Sequence, residues 1–126
     1  MMRSLLLLLA LALAGCTSEP VRKVQEFFQP TKAQQTLSVG LKQYDEGQYA
    51  ESMKSLQSAI HLGLDGRDRV NAHKHLAFIH CAASRERPCR DEFRKALSVD
   101  PAMDLEPEEA GHPVWGPIFR SVKAGR

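Results

Sequence analysis

The chain of 126 residues carries 17 basic and 15 acidic side chains, a formal net charge of +2, and three cysteines. Both signs are mixed along its length, so there is no basic stripe of the kind that grips nucleic acid, and nucleic acid is not expected as a partner. The length allows one small domain with a modest hydrophobic core.

The N-terminus reads MMRSLLLLLALALAGCTSEP. Its apolar run, Leu5 to Ala14, is too short to span a membrane, which takes about 20 residues. Arg3 ahead of the leucines and small residues behind them describe a secretory signal over residues 1–15, which takes no part in the fold. Leu13-Ala14-Gly15-Cys16 resembles a bacterial lipobox; the alternative is an ordinary signal followed by a chance cysteine. The resemblance implies that the Cys16 thiol is alkylated by diacylglycerol and that Cys16 becomes the mature N-terminus, held on a membrane by acyl chains. Each buried methylene contributes about 0.8 kcal/mol, so two or more chains give stable attachment. In that family an aspartate after the cysteine commonly retains the protein in the inner membrane. Thr17 stands there instead, which implies the periplasmic side of the outer membrane.

Residues 16–32 form a lipidated N-terminus and linker, with Pro20 and Pro30 bounding a short amphipathic helix that carries Val21, Val24, Phe27 and Phe28. From there to residue 103, apolar residues recur three and four apart, without alternating β-branched runs. The domain is therefore predicted to be all-α. Breaks at Gly47, Gly63 to Gly66, Arg85 to Pro88 and Asp100-Pro101 separate helices over 32–45, 50–62, 69–83 and 89–99. In the C-terminal segment, 104–126, Glu106, Glu108 and Glu109 read as the first turn of another short helix.

The two helix pairs align at an offset of thirty-seven residues, with Ala77 on Gly40, Phe93 on Leu56 and Ala96 on Ala59. They resemble the tetratricopeptide repeat, a helix-turn-helix unit of about 34 residues whose small positions let antiparallel helices approach. Over residues 33–103 the first copy places Gly40, Ser52 and Ala59 at small positions and Leu56 at the large one. The second uses Leu76, Ala77, Cys89, Phe93 and Ala96 and ends at Pro101. The offset exceeds the family period, which implies a longer connection through Gly63-Leu64-Asp65-Gly66. The resemblance puts Cys81 and Cys89 on facing helices near a turn, where a disulfide is one outcome and two buried thiols the other. It also requires a cap on the second repeat. Val114, Trp115, Ile118, Phe119 and Val122 can supply it, although Trp115 could instead meet a partner. The family's groove positions carry over to Gln34, Leu37, Leu41 and Tyr44 in the first repeat and Asn71, Lys74 and Phe78 in the second. Some of these could equally be core residues under the 21–28 helix.

His73, His75 and His80 are the only candidate metal ligands, and helical spacing sends His73 and His75 to different sides, so no metal is expected. Neither a Ser-His-Asp order nor a glycine-rich phosphate loop stands out, and neither enzyme activity nor a cofactor is expected. The lipobox, two repeats, cysteine pair and tail EEAGHPVWGPIFRSVK resemble small lipoproteins associated with type VI secretion (the TssQ family). That resemblance implies an adaptor for another envelope protein. A pilotin-like lipoprotein escorting a secretin is an alternative, and a periplasmic metal-binding protein a more distant one.

Overall fold

A computed structural model describes residues 29–125 together with Lys23, Glu26 and Phe27. The signal, Cys16 and most of the 21–28 helix lie outside the described residues. Six helices and no strand are found among the described residues: α1 (Lys32–Asp45), α2 (Tyr49–Gly63), α3 (Gly66–Ala82), α4 (Glu86–Val99), α5 (Pro107–Ala110) and α6 (Trp115–Ala124). None is long and apolar enough to cross a membrane.

Local chemistry sets the helix ends. Thr31 opens α1 through a capping box, its hydroxyl accepting from Gln34 N while Gln34 Oε1 accepts from Thr31 N. Of the Arg85–Pro88 break, Arg85 is the N-cap and the rest falls inside α4, which starts three residues before Cys89. Pro88 is tolerated because first-turn amides have no intrahelical acceptor to lose. The longer connection expected between the hairpins is only Leu64 and Asp65, flanked by Gly63 and Gly66, which end α2 and open α3 with positive φ. The additional residues lengthen α2 and α3 to 15 and 17 residues.

The turns inside the two hairpins are built alike, bond for bond. Gly47 N donates to Tyr44 O and Gln48 N to Gln43 O, as Ser84 N donates to Cys81 O and Arg85 N to His80 O. Each turn contains one residue of positive φ, Gly47 at 76° and Ser84 at 60°. Glycine adopts that conformation without steric cost, whereas Ser84 holds it against a penalty.

Within the first hairpin, α1 and α2 meet at Gly40. A β-carbon there would lie 2.9 Å from Leu56 Cδ2 and 3.2 Å from the Leu56 backbone nitrogen. The close approach lets the buried Ser52 hydroxyl donate to Gly40 O at 2.7 Å. At the equivalent level of the second hairpin, Cys89 is joined to Cys81 as a disulfide, Cα to Cα 5.2 Å.

Two hydrophobic clusters share α3. Ala72, Leu76 and Ile79 pack with Ala33, Leu37, Leu56 and Ala59 of the first hairpin. Ala77, Phe78 and Cys81 pack with Phe93, Ala96 and Leu97 of α4 and with Phe119 and Val122 of α6. Trp115 and Ile118 lean on this second cluster, whereas Val114, expected in the cap, is 43% exposed. It precedes the first turn of α6, and its side chain stays in solvent.

Two outcomes follow from these contacts. Gly40→Val should lower unfolding free energy by about 2 kcal/mol in urea denaturation, because the added side chain must push α1 and α2 apart. Reducing the Cys81–Cys89 bridge should cost about 2.5 kcal/mol, the chain-entropy value for so short a loop, with a gain of about 2 Da by mass spectrometry. Thiols that alkylate freely in the oxidised protein would contradict the bridge.

Candidate interaction surface

The groove positions suggested by the sequence do not all reach solvent. Phe78 is 2% exposed and belongs to the core, and Leu37, 5% exposed, reaches the surface only as part of a groove lining. Lys74 and Phe78 are engaged by the chain's own C-terminal segment. Lys74 Nζ meets the Glu109 carboxylate at 2.9 Å, and the Trp115 ring stacks on Phe78 with centroids 4.4 Å apart. Over the second hairpin, the surface that would meet a partner is therefore covered by residues 106–119.

Glu109 organises that covering segment. Its carboxylate accepts from Glu106 N to form the capping box of α5, and from Lys74 of α3. Its backbone carbonyl accepts from Trp115 Nε1 at 2.9 Å, fixing the indole face against Phe78. His112 lies flat on the other indole face, centroids 3.3 Å apart, and its Nδ1 accepts from Val114 N and Trp115 N. The packing needs Gly116, since a β-carbon there would run into Ala110 O. Trp115 is thus a structural clamp with one half-exposed edge.

Among the described residues a groove of about 560 Å³ runs along α1 and α3, with Phe27, Gln29 and Pro30 at its N-terminal end. Leu37 forms its floor; Gln34, Ser38 and Leu41 line the α1 side, and Asp68 and Asn71 the α3 side. Gln34 Nε2 donates to Asp68 at 3.0 Å, which ties the two helices together across the groove. Of the predicted groove set, Gln34, Leu37, Leu41 and Asn71 share this hollow.

Tyr44 sits at the junction of the hairpins instead. Its ring makes edge contacts with Tyr49 at 5.5 Å and His75 at 4.9 Å. Burial, aided by Tyr49, Glu109 and Asp45, pushes the Tyr44 phenol up to about 12. His75 Nδ1–H donates to Asn71 O at 2.8 Å, and burial lowers its pKa.

The three histidines do not converge. His73 is buried and bonds to Glu92 at 2.6 Å, His75 faces a backbone carbonyl, and His80 accepts from Arg85. None is fully exposed, because α3 is covered on both long sides. Among the described residues no group of three or more His, Cys, Asp or Glu is placed to hold a metal ion. Sequence reasoning missed Glu92 and the linking role of Glu109. A carboxylate at a buried helical phase opposite a buried histidine was the available signal for Glu92, but seeing it requires knowing which faces of α3 and α4 meet.

The histidines and Glu92 predict the acid limb of stability. Burial lowers the His75 pKa, and burial with the nearby Arg85 charge lowers that of His80. Both protonate more readily in the unfolded chain, so their contribution is full above about pH 6.5 and is lost as pH falls through their folded values. Burial works to raise the Glu92 pKa, but hydrogen bonds from His73 and Lys95 outweigh it and leave the carboxyl lowered. Its contribution is therefore present above about pH 4.5 and lost below it. Thermal unfolding should show a lower midpoint at about pH 5.5 than at about pH 7.5, and His75→Gln should narrow that difference.

Compared with known protein families, characterised proteins and solved structures, the chain finds no match.

Proposed function

We propose that this chain is a lipid-anchored adaptor of the bacterial envelope, whose two hairpins act as tetratricopeptide-like repeats that bind a segment of another protein. The observation that carries the reading is the open groove between α1 and α3. A leucine floor between amide and carboxylate rims suits an amphipathic helix or an extended segment that offers apolar side chains and backbone polar groups. Support for the repeat assignment comes from the two turns, whose four backbone hydrogen bonds recur at the sequence offset of the aligned hairpins.

The rest of the proposal comes from the sequence. Cys16, carrying acyl chains, would hold the adaptor on the periplasmic face of the outer membrane, and the linker would set its reach. The C-terminal segment caps the second repeat, so partner binding falls to the first hairpin and the adjoining face of α3. The partner system most consistent with the sequence resemblance is a type VI secretion assembly.

Cys16→Ser should move the protein from the membrane fraction to the soluble periplasmic fraction, with loss of the acyl mass. A photo-crosslinking residue at Leu41 or Asn71 should capture a membrane-complex or baseplate subunit in cells, whereas one at Val114 should not. Capture of a secretin would replace the assignment with a pilotin. Capture from Val114 alone would move the binding surface to the C-terminal segment.

A further inference from the structure

A second hollow lies away from the groove, where the C-terminal ends of α2 and α4 meet the first half of α3. It is a cleft of about 630 Å³. Arg69 and His73 line it from α3 and Lys95 and Val99 from α4, while Ile60 and Leu64 supply an apolar wall. Arg69, Lys95 and Val99 are exposed, so the cleft is open on its outer side.

Two polar side chains are left with capacity inside it. His73 has a side chain only 7% exposed, with Nδ1 2.6 Å from Glu92 Oε2. Lys95 Nζ donates to the other Glu92 oxygen at 3.0 Å, so the carboxylate is held as an acceptor and Nδ1 carries a hydrogen. No described donor or acceptor meets Nε2. Because no buried side-chain nitrogen or oxygen among the described residues lacks a partner, that atom must be open to the cleft its residue lines. Nearby, the Arg69 guanidinium is held only by a long 3.4 Å bond to Leu64 O, which leaves most of its donors unused.

Asp65 and Glu92 offset Arg69 and Lys95, so the fixed charges cancel and the cleft favours neither an anion nor a cation. Its polar groups call for an uncharged ligand that both donates and accepts. One edge of an extended backbone carries N–H and C=O groups together. Nε2 therefore finds its complement in either state of the ring, an N–H for the neutral form or a carbonyl for the charged one, and Arg69 donates to a carbonyl. Sites for free small molecules bury about 70–90% of the ligand, whereas a cleft open on its outer side suits a chain that continues past both ends. We propose that this cleft is a second peptide-binding site, taking an extended segment of another polypeptide, with one branched aliphatic side chain on Ile60, Leu64 and Val99 and the backbone of that residue on Arg69 and His73 Nε2. Its residues are separate from those of the α1–α3 groove, so the two sites are independent.

Titration of the ¹⁵N-labelled full chain with the capped peptide acetyl-alanyl-leucyl-alanine amide tests the site, read by the His73 ring nitrogens and the Arg69 side chain. Saturable shifts are expected there, with binding at least fivefold weaker when the central leucine is replaced by alanine or by glutamate. The small amide 4-methylpentanamide, which has the apolar body without a continuing chain, should bind at least tenfold more weakly than the peptide. Arg69→Ala and Val99→Ser, both at exposed positions, should each weaken peptide binding at least threefold with an unchanged unfolding midpoint. Leu41→Ala in the groove should leave it unaltered. The proposal is overturned by the absence of saturable binding, by equal binding of the alanine or glutamate peptide, or by insensitivity to either substitution in the cleft. Binding of 4-methylpentanamide as tight as that of the peptide would identify a small-molecule site instead, and loss of peptide binding in Leu41→Ala would return it to the groove; either result also overturns it.

Discussion

The burial of α3 along both of its long sides is the constraint on which this small fold depends. Leu76 and Ile79 face the first hairpin while Phe78 and Cys81 face the second and the C-terminal helix. A domain of this length buries a limited area, and one helix shared between two clusters makes the most of it. The arrangement also removes α3 from the usual two-faced pattern. It has no broad solvent face, so His73 and Lys74 find partners on neighbouring elements while His75 bonds back to Asn71 O of its own helix. Those partners, Glu92 and Glu109, determine where the rest of the molecule attaches.

The two hairpins solve the same geometric problem with different chemistry. Both reverse direction through a residue of positive φ and the same backbone bonds. In the first, a missing side chain at Gly40 allows close contact, and Ser52 bonds across it. In the second, Ala77 and Phe93 take the positions of Gly40 and Leu56, and Cys89 is bridged to Cys81. A neutral hydrogen bond contributes about 1 kcal/mol and a short-loop disulfide more. The covalent tie falls in the hairpin that also receives the C-terminal segment, where a fixed Phe78 is needed beneath Trp115.

The C-terminal segment divides the surface of the molecule. By covering Lys74 and Phe78 it turns half of an expected groove into core and leaves the α1 side open. On another face, α2, α3 and α4 leave a charged cleft over His73. The two hollows differ in chemistry, one rimmed by amides over leucine and the other by cations beside an aliphatic wall.

The sequence by itself determined the all-helical class, the positions of the turns and the bounds of α1, because periodicity, capping residues and glycines act over a few neighbouring residues. It also contained the thirty-seven-residue correspondence between hairpins. It could not determine the fate of Phe78, Leu37, Val114 or the histidines, whose helical phase is compatible with either core or surface. Only the tertiary structure decided these, by laying Trp115 on Phe78, Glu109 on Lys74 and Glu92 on His73. Those pairs lie 37, 35 and 19 residues apart in the chain. Their distances are fixed by how whole helices pack, and no local pattern of residues encodes that.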